Sequence, residues 1–329
     1  MIDFSPRRFR ATFAARNREF LRDRAALTWN LLLPALIVLG FAFAFGGVGK
    51  VDLTAGVIGD PAALDEASPL ALEPVGREAG LERLRHQRLD LLVDPAARTY
   101  WVNPDSDRGR LAARALTPAE GWEAQPVPGE PLRYVDWLVP GILAMNMMFS
   151  ALYGVGYVIV RYRKNGVLKR LSATPLTAFE FLAAQVASRW WLLLAMTAAV
   201  YLGTWSLVGF PLRGSPLALV LTFACGGLAL ISLGLLASVR LASEEMAEGV
   251  LNLLAWPMMF LSGVWFATDR LHPWLEEAAW VLPLTHVTHA ARAVMLDGAG
   301  VADIAGHLLI LLAMALVLLV VGARLFRWE

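Results

Sequence analysis

Long apolar runs constrain this chain more than any other feature of its sequence. Several stretches of predominantly apolar residues are separated by short segments that hold most of the charges, and each is about as long as the roughly 20 residues a membrane-spanning helix needs. The composition agrees, because 57% of the 329 residues are hydrophobic and only 17% are charged. Soluble domains carry about 25% charged residues. The sequence therefore predicts an α-helical polytopic membrane protein.

Six transmembrane helices are predicted. We place them at residues 28–48, 135–160, 181–208, 216–239, 249–267 and 303–323. The short segments on the side of both termini are rich in arginine, whereas the connection at 209–215 holds only Arg213. The positive-inside rule therefore predicts that both termini are cytoplasmic.

Residues 278–296 are also apolar, but they contain Pro283, His286, His289 and Arg292. Irregular backbone is tolerated at membrane depth where protein or a cavity satisfies its polar groups. We therefore expect an outer re-entrant segment at 268–300 rather than a seventh span.

The N-terminal residues 1–27 predict an interfacial amphipathic helix on the cytoplasmic face. At 3.6 residues per turn, one side of this helix is apolar and consists of Phe9, Phe13, Phe20 and Leu27. The opposite side carries Arg7, Arg18 and Arg22. Arg16 falls on the apolar side, where it would snorkel to lipid phosphate or pair with a partner. A simpler interpretation is that these arginines only orient the chain.

A polar region at 49–133 separates the first two predicted spans and is long enough for a small domain. VDLTAGVI, LDLLVD and RTYWVN are typical of strands, whereas LERLRHQR and SDRGRLAARAL are typical of helices, the latter capped by Ser106 or Asp107. We predict a small extracytoplasmic α/β domain here. WEAQPVPGEP then reads as a linker returning to a five-helix transmembrane domain at 134–329.

A basic segment at 163–176 follows the second predicted span. Its short helix should stop at Pro175, after which Thr177 and Glu180 form a capping box for the next helix. Val167, Leu168 and Leu171 form a small apolar face, and the basic residues Lys169 and Arg170 lie beside it. Such a face suits docking into a groove on a soluble partner. The alternative is a helix that lies on lipid headgroups.

This segment, GVLKRLSATPL, resembles the coupling-helix region of type-2 ABC export permeases, which typically read Gly-x-Leu-x-x-Leu-x-x-Thr-Pro-Leu. The matching residues are Gly166, Leu168, Leu171, Thr174, Pro175 and Leu176. A second block is similar to the Leu-Ser-Gly, Pro-x-Trp-Leu and Leu-Pro-Leu-Thr sequence of the same family. Its residues here are Leu261, Ser262, Gly263, Pro273, Trp274, Leu275, Leu282, Pro283, Leu284, Thr285 and Arg292.

The resemblance implies the permease subunit of an ABC exporter in a bacterial cytoplasmic (inner) membrane. It implies a partner ABC ATPase that binds ATP and Mg²⁺, and a second permease copy as a homodimer or a homologous permease. Coupling to the ATPase is assigned to Gly166, Leu168, Lys169, Arg170, Leu171, Thr174 and Pro175, and the re-entrant motif to Leu282, Pro283, Thr285 and Arg292. Members often carry an acidic residue just before the coupling-helix glycine, where this chain has Lys164 and Asn165.

Catalysis and cofactor binding by this chain are not expected. The sequence holds no Gly-x-x-x-x-Gly-Lys-Ser/Thr loop, no His-Glu-x-x-His and no Gly-x-Ser-x-Gly. No cysteine or carboxylate near His286 and His289 completes a metal site, so none is predicted. The net charge of +1 gives no field for nucleic acid. Membrane lipids are expected contacts, and a sensor that uses the outer domain as a receptor is the alternative class.

The substrate path is expected among polar and methionine residues of the spans. The candidates are Asn146, Ser150, Met147, Asn252, Met259 and Ser262. Packing and hydrogen bonding between helices explain the same residues. Apolar spans favour a hydrophobic or amphipathic drug or lipid, taken from the cytoplasm or the inner leaflet. Because the LPLTH block resembles permeases that export antibiotics or lipo-oligosaccharides, glycolipid, lipo-oligosaccharide or polysaccharide export is the alternative.

Overall fold

A computed structural model describes residues 4–44, 53–59, 64, 70–85, 89–116, 122–128, 133–266 and 272–328. The chain divides into two compact units. The membrane unit joins Met1–Phe43 to Val135–Glu329, and the inserted unit is Ala44–Tyr134.

The elements in chain order are α1 Pro6–Arg22, α2 Arg24–Ala44, β1 Thr54–Val57, β2 Ala71–Pro74, α3 Arg77–Arg85, β3 Leu91–Asp94, β4 Thr99–Val102, α4 Asp107–Ala115, β5 Glu123–Pro126, α5 Tyr134–Ala151, a π-helical segment Leu152–Tyr157, α6 Val158–Lys164, α7 Val167–Ser172, α8 Ala178–Val208, α9 Pro216–Ser238, α10 Glu244–Leu261, α11 Pro273–Ala279, α12 Pro283–Leu296 and α13 Ala305–Leu325.

Five helical stretches of the described chain are long and apolar enough to cross a membrane. They are Arg24–Phe43, Tyr134–Lys164, Ala178–Val208, Pro216–Ser238 and Ala305–Leu325. Each coincides with a predicted span, so the prediction of a polytopic membrane protein is confirmed. The predicted span at 249–267 corresponds to α10, which starts with Glu244 and Glu245 and ends at Leu261. A sixth span therefore stays a prediction.

Helices α5 and α9 form the interior of the membrane unit. In the most apolar part of each helix, 72% of the residues are buried in the stretch that starts with α5 and 61% in α9. The corresponding shares are 11% in α2 and 17% in α13. Helices α9 and α13 pack together, and α12 packs against both. The exposed apolar faces of α2 and α13 are those expected to contact lipid, because lipid tails are as apolar as these side chains.

The N-terminal segment is not one helix over 1–27. Helix α1 ends at Arg22, and α2 starts at Arg24 after a bend at Asp23, whose carboxylate accepts from the Ala26 amide. An aspartate in this position satisfies a free amide of a helix N-terminus, which explains why the second helix begins here. The first apolar helix therefore starts four residues before the predicted boundary at 28. Residues 45–48 of that predicted span lie outside the described residues.

The inserted unit is a five-stranded sheet with strand order β2-β1-β3-β4-β5. Among the strand pairs of the described residues, β3–β4 is antiparallel and the other three are parallel. Buried Asp90, just before β3, accepts from the Thr54 amide and from two nitrogens of Arg108. Ser106 caps α4 by accepting from the Gly109 amide, as its position before SDRGRLAARAL predicts. Strands β1, β3 and β4 lie where the sequence patterns indicate them.

Two edge strands were not predicted. The segment interpreted as a linker contains β5, Glu123–Pro126, which pairs in parallel with β4. Strand β2, Ala71–Pro74, pairs in parallel with β1. Both are short, end in proline and lie at a sheet edge, where proline is tolerated because one side of the strand needs no partner. Neither shows the alternation of a half-buried strand, so pairing with a neighbour decides their conformation.

Candidate functional site

The segment 163–176 forms a compact elbow between α6 and α8. Gly166 takes a left-handed conformation with φ of +66°, which a glycine adopts without strain, and α7 starts directly after it. Helix α8 then begins with the predicted capping box, in which Thr177 and Glu180 exchange side-chain and backbone hydrogen bonds. Short elements fixed at both ends make this elbow a defined shape rather than a loose loop.

The elbow exposes polar and basic side chains. The exposed members of the predicted coupling set are Lys169, Arg170, Thr174 and Pro175, and Leu171 is partly exposed. Leu168 differs, because it is 0% exposed and packs inside its own chain. It is therefore not part of an outward apolar face as the sequence pattern suggested. Leu171 is the more accessible of the two leucines.

Arg163 ties the elbow to distant parts of the membrane unit. Its guanidinium donates to the carbonyls of Val239, Leu241 and Arg327 at 2.9, 2.6 and 3.2 Å. Arg240 donates to the Leu325 carbonyl at 3.0 Å. These carbonyls follow or close α9 and α13, where no intrahelical partner remains. Arg163 and Arg240 thereby join α6 and the segment after α9 to the ends of α9 and α13.

Lys164 has its acidic partners within this chain. Its ammonium lies 3.3 Å from Glu244 and 3.8 Å from Glu245, in the first turn of α10. The hydrogen bond from Tyr157 and the Lys164 charge hold the pKa of the Glu244 carboxyl below its usual value. Lys164 therefore joins the end of α6 to the start of α10.

Helix α1 docks on the first turns of α8. Glu180 is fully buried and accepts from the Ser5 amide at 2.6 Å and from Arg8 at 3.0 Å, in addition to its capping role. Arg16, the residue that broke the amphipathic pattern, donates to Gln185 at 2.6 Å and to the Gly154 carbonyl at 3.1 Å. Its position on the inner side of α1 is thus explained by contacts with the bundle.

The predicted re-entrant motif lies on α12 and at the residue before it, and α11 precedes it within the predicted segment. Pro283 occupies the first turn of α12, and Leu282 immediately precedes that helix. Thr285 donates to Ala279 and Ser262, at 2.6 and 3.0 Å. Residues 268–271 of the predicted segment lie outside the described residues.

Arg292 joins α12 to the turn after α10 and to α5. It donates to the carbonyls of Gly263 and Trp137, at 2.6 and 3.3 Å, and its guanidinium carbon lies 3.7 Å from the Trp137 ring centroid. A cation over an indole face is electrostatically favourable. The arginine of the motif therefore holds three elements together at this end of α12.

The candidate path residues divide into two groups. Ser150, Met147, Met259 and Ser262 are buried inside this chain. Asn146 and Asn252 are only partly buried, and Asn252 accepts from Tyr153 at 2.8 Å. Within the described residues the Asn146 amide has no hydrogen-bond partner. Asn146 and Asn252 are thus the members of the set best placed to meet another molecule.

Three histidines cluster around Trp280. His286 and His307 approach to 3.1 Å between their Nδ1 atoms, and the His289 ring centroid lies 4.8 Å from that of Trp280. In the part of the chain that the structure describes, no group of three or more histidine, cysteine or carboxylate side chains is arranged to hold a metal ion.

Comparison with known proteins assigns this chain to a family. Residues 7–296 match the ABC-2 type transporter family. The chain belongs to the ABC-2 type transporter family. The resemblance read from the coupling and re-entrant motifs is confirmed. This ABC-2 protein is also similar to three named proteins.

One relative is a probable multidrug ABC transporter permease, YbhR, of Escherichia coli K12. It is 25% identical over 169 residues, which cover 51% of this chain and 46% of that protein. The linearmycin resistance permease protein LnrN of Bacillus subtilis is 28% identical over 53% of this chain and 45% of its own length. Nodulation protein J of Rhizobium leguminosarum is 27% identical over 59% of this chain and 74% of its own length. The chain spans about half the length of the first of these relatives.

Two arginine-centred contacts and the π-helical segment do not follow from the sequence patterns. Arg163 is one of several basic residues at the end of a predicted span, and Arg189 interrupts the apolar run of α8. An arginine inside a span is a functional-site signal by default. Two closely spaced glycines, Gly154 and Gly156, were the available signal for the π-helical segment.

Proposed function

We propose that this ABC-2 protein is the permease subunit of an ABC exporter and is driven by a separate ATPase subunit. The observation that supports this most directly is the exposed basic elbow at 163–176, fixed by Gly166, by the capping box and by Arg163. A rigid, exposed element joined to several spanning helices is suited to transmit a partner's movement as a rigid-body change. In this proposal ATP and Mg²⁺ bind to the partner.

The docking surface for the ATPase subunit consists of Lys169, Arg170, Leu171, Thr174 and Pro175. Leu171 supplies apolar area, and the two basic residues supply charge at the rim. Leu168 acts from inside the chain by holding α7 against the bundle, because it is fully buried. Lys164 is committed to Glu244, so it serves the connection to α10 rather than the partner.

Two permeases would assemble with the substrate moving between them. The partner is a second copy of this chain or a homologous permease. Helix α10 offers exposed Leu253, Trp256 and Phe260 as the apolar surface for this contact. The partly buried Asn146 and Asn252 would line the route. Six spans would place both termini in the cytoplasm of a bacterial cell and the inserted unit outside.

The substrate class that we favour is a hydrophobic or amphipathic drug or lipid. The names of YbhR and LnrN, a probable multidrug permease and a resistance permease, support drug export. Export of glycolipid, lipo-oligosaccharide or polysaccharide is the second candidate, because residues 282–286 resemble permeases of that kind.

Leu171→Asp tests the docking surface. The substituted chain should insert and fold normally, because Leu171 is partly exposed. Substrate-stimulated ATPase activity of the reconstituted permease–ATPase complex should fall about tenfold or more, since a charge placed in an apolar contact is strongly unfavourable. The matched control is Leu111→Asp, the same substitution at an exposed leucine of the inserted unit.

Purification of the tagged protein from its native membrane tests the partner itself. The exporter proposal expects an ATPase subunit at equal stoichiometry. Recovery of this chain alone, together with full activity of Leu171→Asp, would contradict it and favour a sensor whose receptor is the inserted unit.

A further inference from the structure

A cavity of about 370 Å³ opens between α1, α2, the π-helical segment and α8. Its walls combine apolar side chains with several charged ones. The lining residues on which the inference rests are Arg16, Glu19, Asp23, Ser150, Arg161 and Arg189. All belong to the membrane unit.

Arg189 is a buried cation without a counter-ion. Its side chain is 8% exposed, and both Nε and Nη2 donate to the Ser150 carbonyl, a neutral group. Among the described residues no carboxylate lies within ion-pair distance of its guanidinium. The neighbouring charge that acts on it is Arg16, which has the same sign. Burying such a charge is costly unless an anion accompanies it.

The backbone is shaped to admit this guanidinium. A Cβ atom at Gly154 would lie 1.9 Å from the Nε of Arg189, so only glycine leaves the space that the guanidinium occupies. The Phe20 ring also packs on this guanidinium, with its ring centroid 4.7 Å from the guanidinium carbon. The position is therefore built, and its remaining open side faces the cavity.

The other charges of the cavity leave room for one anion. Glu19 pairs with Arg16 at 2.8 Å, and Asp23 accepts from the Ala26 amide. Arg161 is exposed at the rim. Its charge acts on Glu244, which already pairs with Lys164, but its guanidinium makes no hydrogen bond or ion pair with a described residue. Three arginines face two carboxylates, both engaged, so the lining holds one excess positive charge.

The depth of Arg189 matches a phosphate at the membrane boundary. Helix α8 has 31 residues, about 46 Å at 1.5 Å per residue, whereas the hydrocarbon core is about 30 Å thick. Arg189 is the twelfth residue of α8, so about 16 Å of helix precedes it. If the opposite end of α8 reaches the far interface, Arg189 lies where the core meets the headgroups.

We propose that this cavity binds the phosphate of an acidic phospholipid from the leaflet in which α1 lies. The phosphate pairs with Arg189, Arg161 completes its neutralisation at the rim, and the acyl chains lie along the exposed apolar face of α2. This site goes beyond the proposed transport function, since it assigns a bound lipid that fixes α1 to the bundle.

The test uses the full chain, purified and reconstituted in phosphatidylcholine nanodiscs with increasing fractions of phosphatidylglycerol. Two quantities are measured. The first is the rise in the Tm of the protein caused by phosphatidylglycerol, and the second is the number of phosphatidylglycerol molecules that the protein retains in native mass spectrometry. Wild-type protein should retain one such lipid and show the rise. Arg189→Met should bind it about tenfold or more weakly, the usual effect of losing a hydrogen bond to a charged group.

Arg324→Met is the matched control, because it removes an exposed arginine from the last turn of α13, outside the cavity. It should behave like wild type. Arg161→Met provides a second test, because this residue is exposed and makes no hydrogen bond or ion pair with a described residue, so we expect the variant to fold. It should weaken retention of the lipid whether or not Arg189→Met folds.

Inorganic phosphate added to nanodiscs of phosphatidylcholine alone tests whether the cavity binds free phosphate instead of a lipid headgroup. No change in Tm is expected. Stabilisation by inorganic phosphate without a response to phosphatidylglycerol would overturn the lipid assignment. Equal retention by wild type, Arg161→Met and Arg324→Met would also overturn it.

Discussion

Charged side chains have specific structural tasks in this apolar protein. Arg163 collects three carbonyls at helix ends, and Glu180 joins α1 to α8 while capping α8. Arg292 connects α12 to α5 and to the turn after α10. Because helix ends leave backbone groups unpaired, charged groups placed there form stronger hydrogen bonds than neutral ones. Single residues thus determine how neighbouring helices are joined.

Leu168 should act through stability and Leu171 through docking. Leu168→Ala removes a fully buried side chain, so we expect it to lower the free energy of unfolding by about 2–5 kcal/mol. Leu171→Ala should cost much less, since part of its surface is already exposed. Thermal unfolding of both purified variants in detergent measures this difference. Equal losses would show that the two leucines are buried alike.

At the scale of elements, the π-helical segment Leu152–Tyr157 interrupts the long second hydrophobic stretch, Tyr134–Lys164. Its glycines allow two different approaches, with Arg189 against Gly154 and the α9 backbone against Gly156. π-Helical turns are rare and occur frequently at functional sites. Here the segment separates α5, which contributes Asn146, from α6, which leads into the elbow. It therefore lies on the route that joins the docking surface to the proposed substrate path.

Gly156→Ala should loosen the contact between the π-helical segment and α9. The added Cβ would lie 2.7 Å from the Gly234 carbonyl oxygen and 2.5 Å from the Ser238 hydroxyl. Since a backbone oxygen cannot move aside cheaply, we expect destabilisation of about 1–3 kcal/mol.

Gly203→Ala in α8 is the control, because its Cβ would meet no atom within 4 Å. It should leave stability unchanged or raise it by about 0.5–1 kcal/mol, as alanine favours helix. Both are measured by thermal unfolding, and an equal response to the two substitutions would contradict the close packing at Gly156.

At the scale of the whole molecule, the chain combines a helical membrane unit with an α/β unit inserted after its first apolar helix. The two units are stabilised differently. In the inserted unit, buried apolar residues pack on the sheet and Asp90 pairs with Arg108. In the membrane unit α5 and α9 are enclosed, whereas α2 and α13 keep apolar surface outward. The hydrophobic effect therefore drives the burial of apolar side chains in the inserted unit. It does not act on the outward faces of α2 and α13, because lipid solvates them.

Cysteine labelling tests the predicted topology of the two units. Replacing the half-buried Cys225 by serine gives a cysteine-free background, into which Leu111→Cys or Lys169→Cys is introduced at an exposed position. A membrane-impermeant maleimide applied to intact cells should label Leu111→Cys. Lys169→Cys should react only after the cells are permeabilised. The reverse pattern would place the elbow outside and contradict an intracellular ATPase partner.

The sequence by itself determined the class of this protein and the position of its elbow. Apolar runs of spanning length, the capping box at Thr177 and Glu180, the Gly166 turn and most strands of the inserted unit follow from local patterns. Such patterns depend only on neighbours in the chain, because helix and strand periodicity and capping act over a few residues.

The tertiary structure alone decided which residues are enclosed and what they contact. It buries Leu168, gives Arg16 and Glu180 partners more than 160 residues away, and pairs the edge strands β2 and β5. It also leaves Arg189 beside a cavity without a counter-ion. These features depend on contacts between segments that are far apart in the sequence. Local patterns do not include such contacts, so burial and charge pairing could be assigned only from the packed structure.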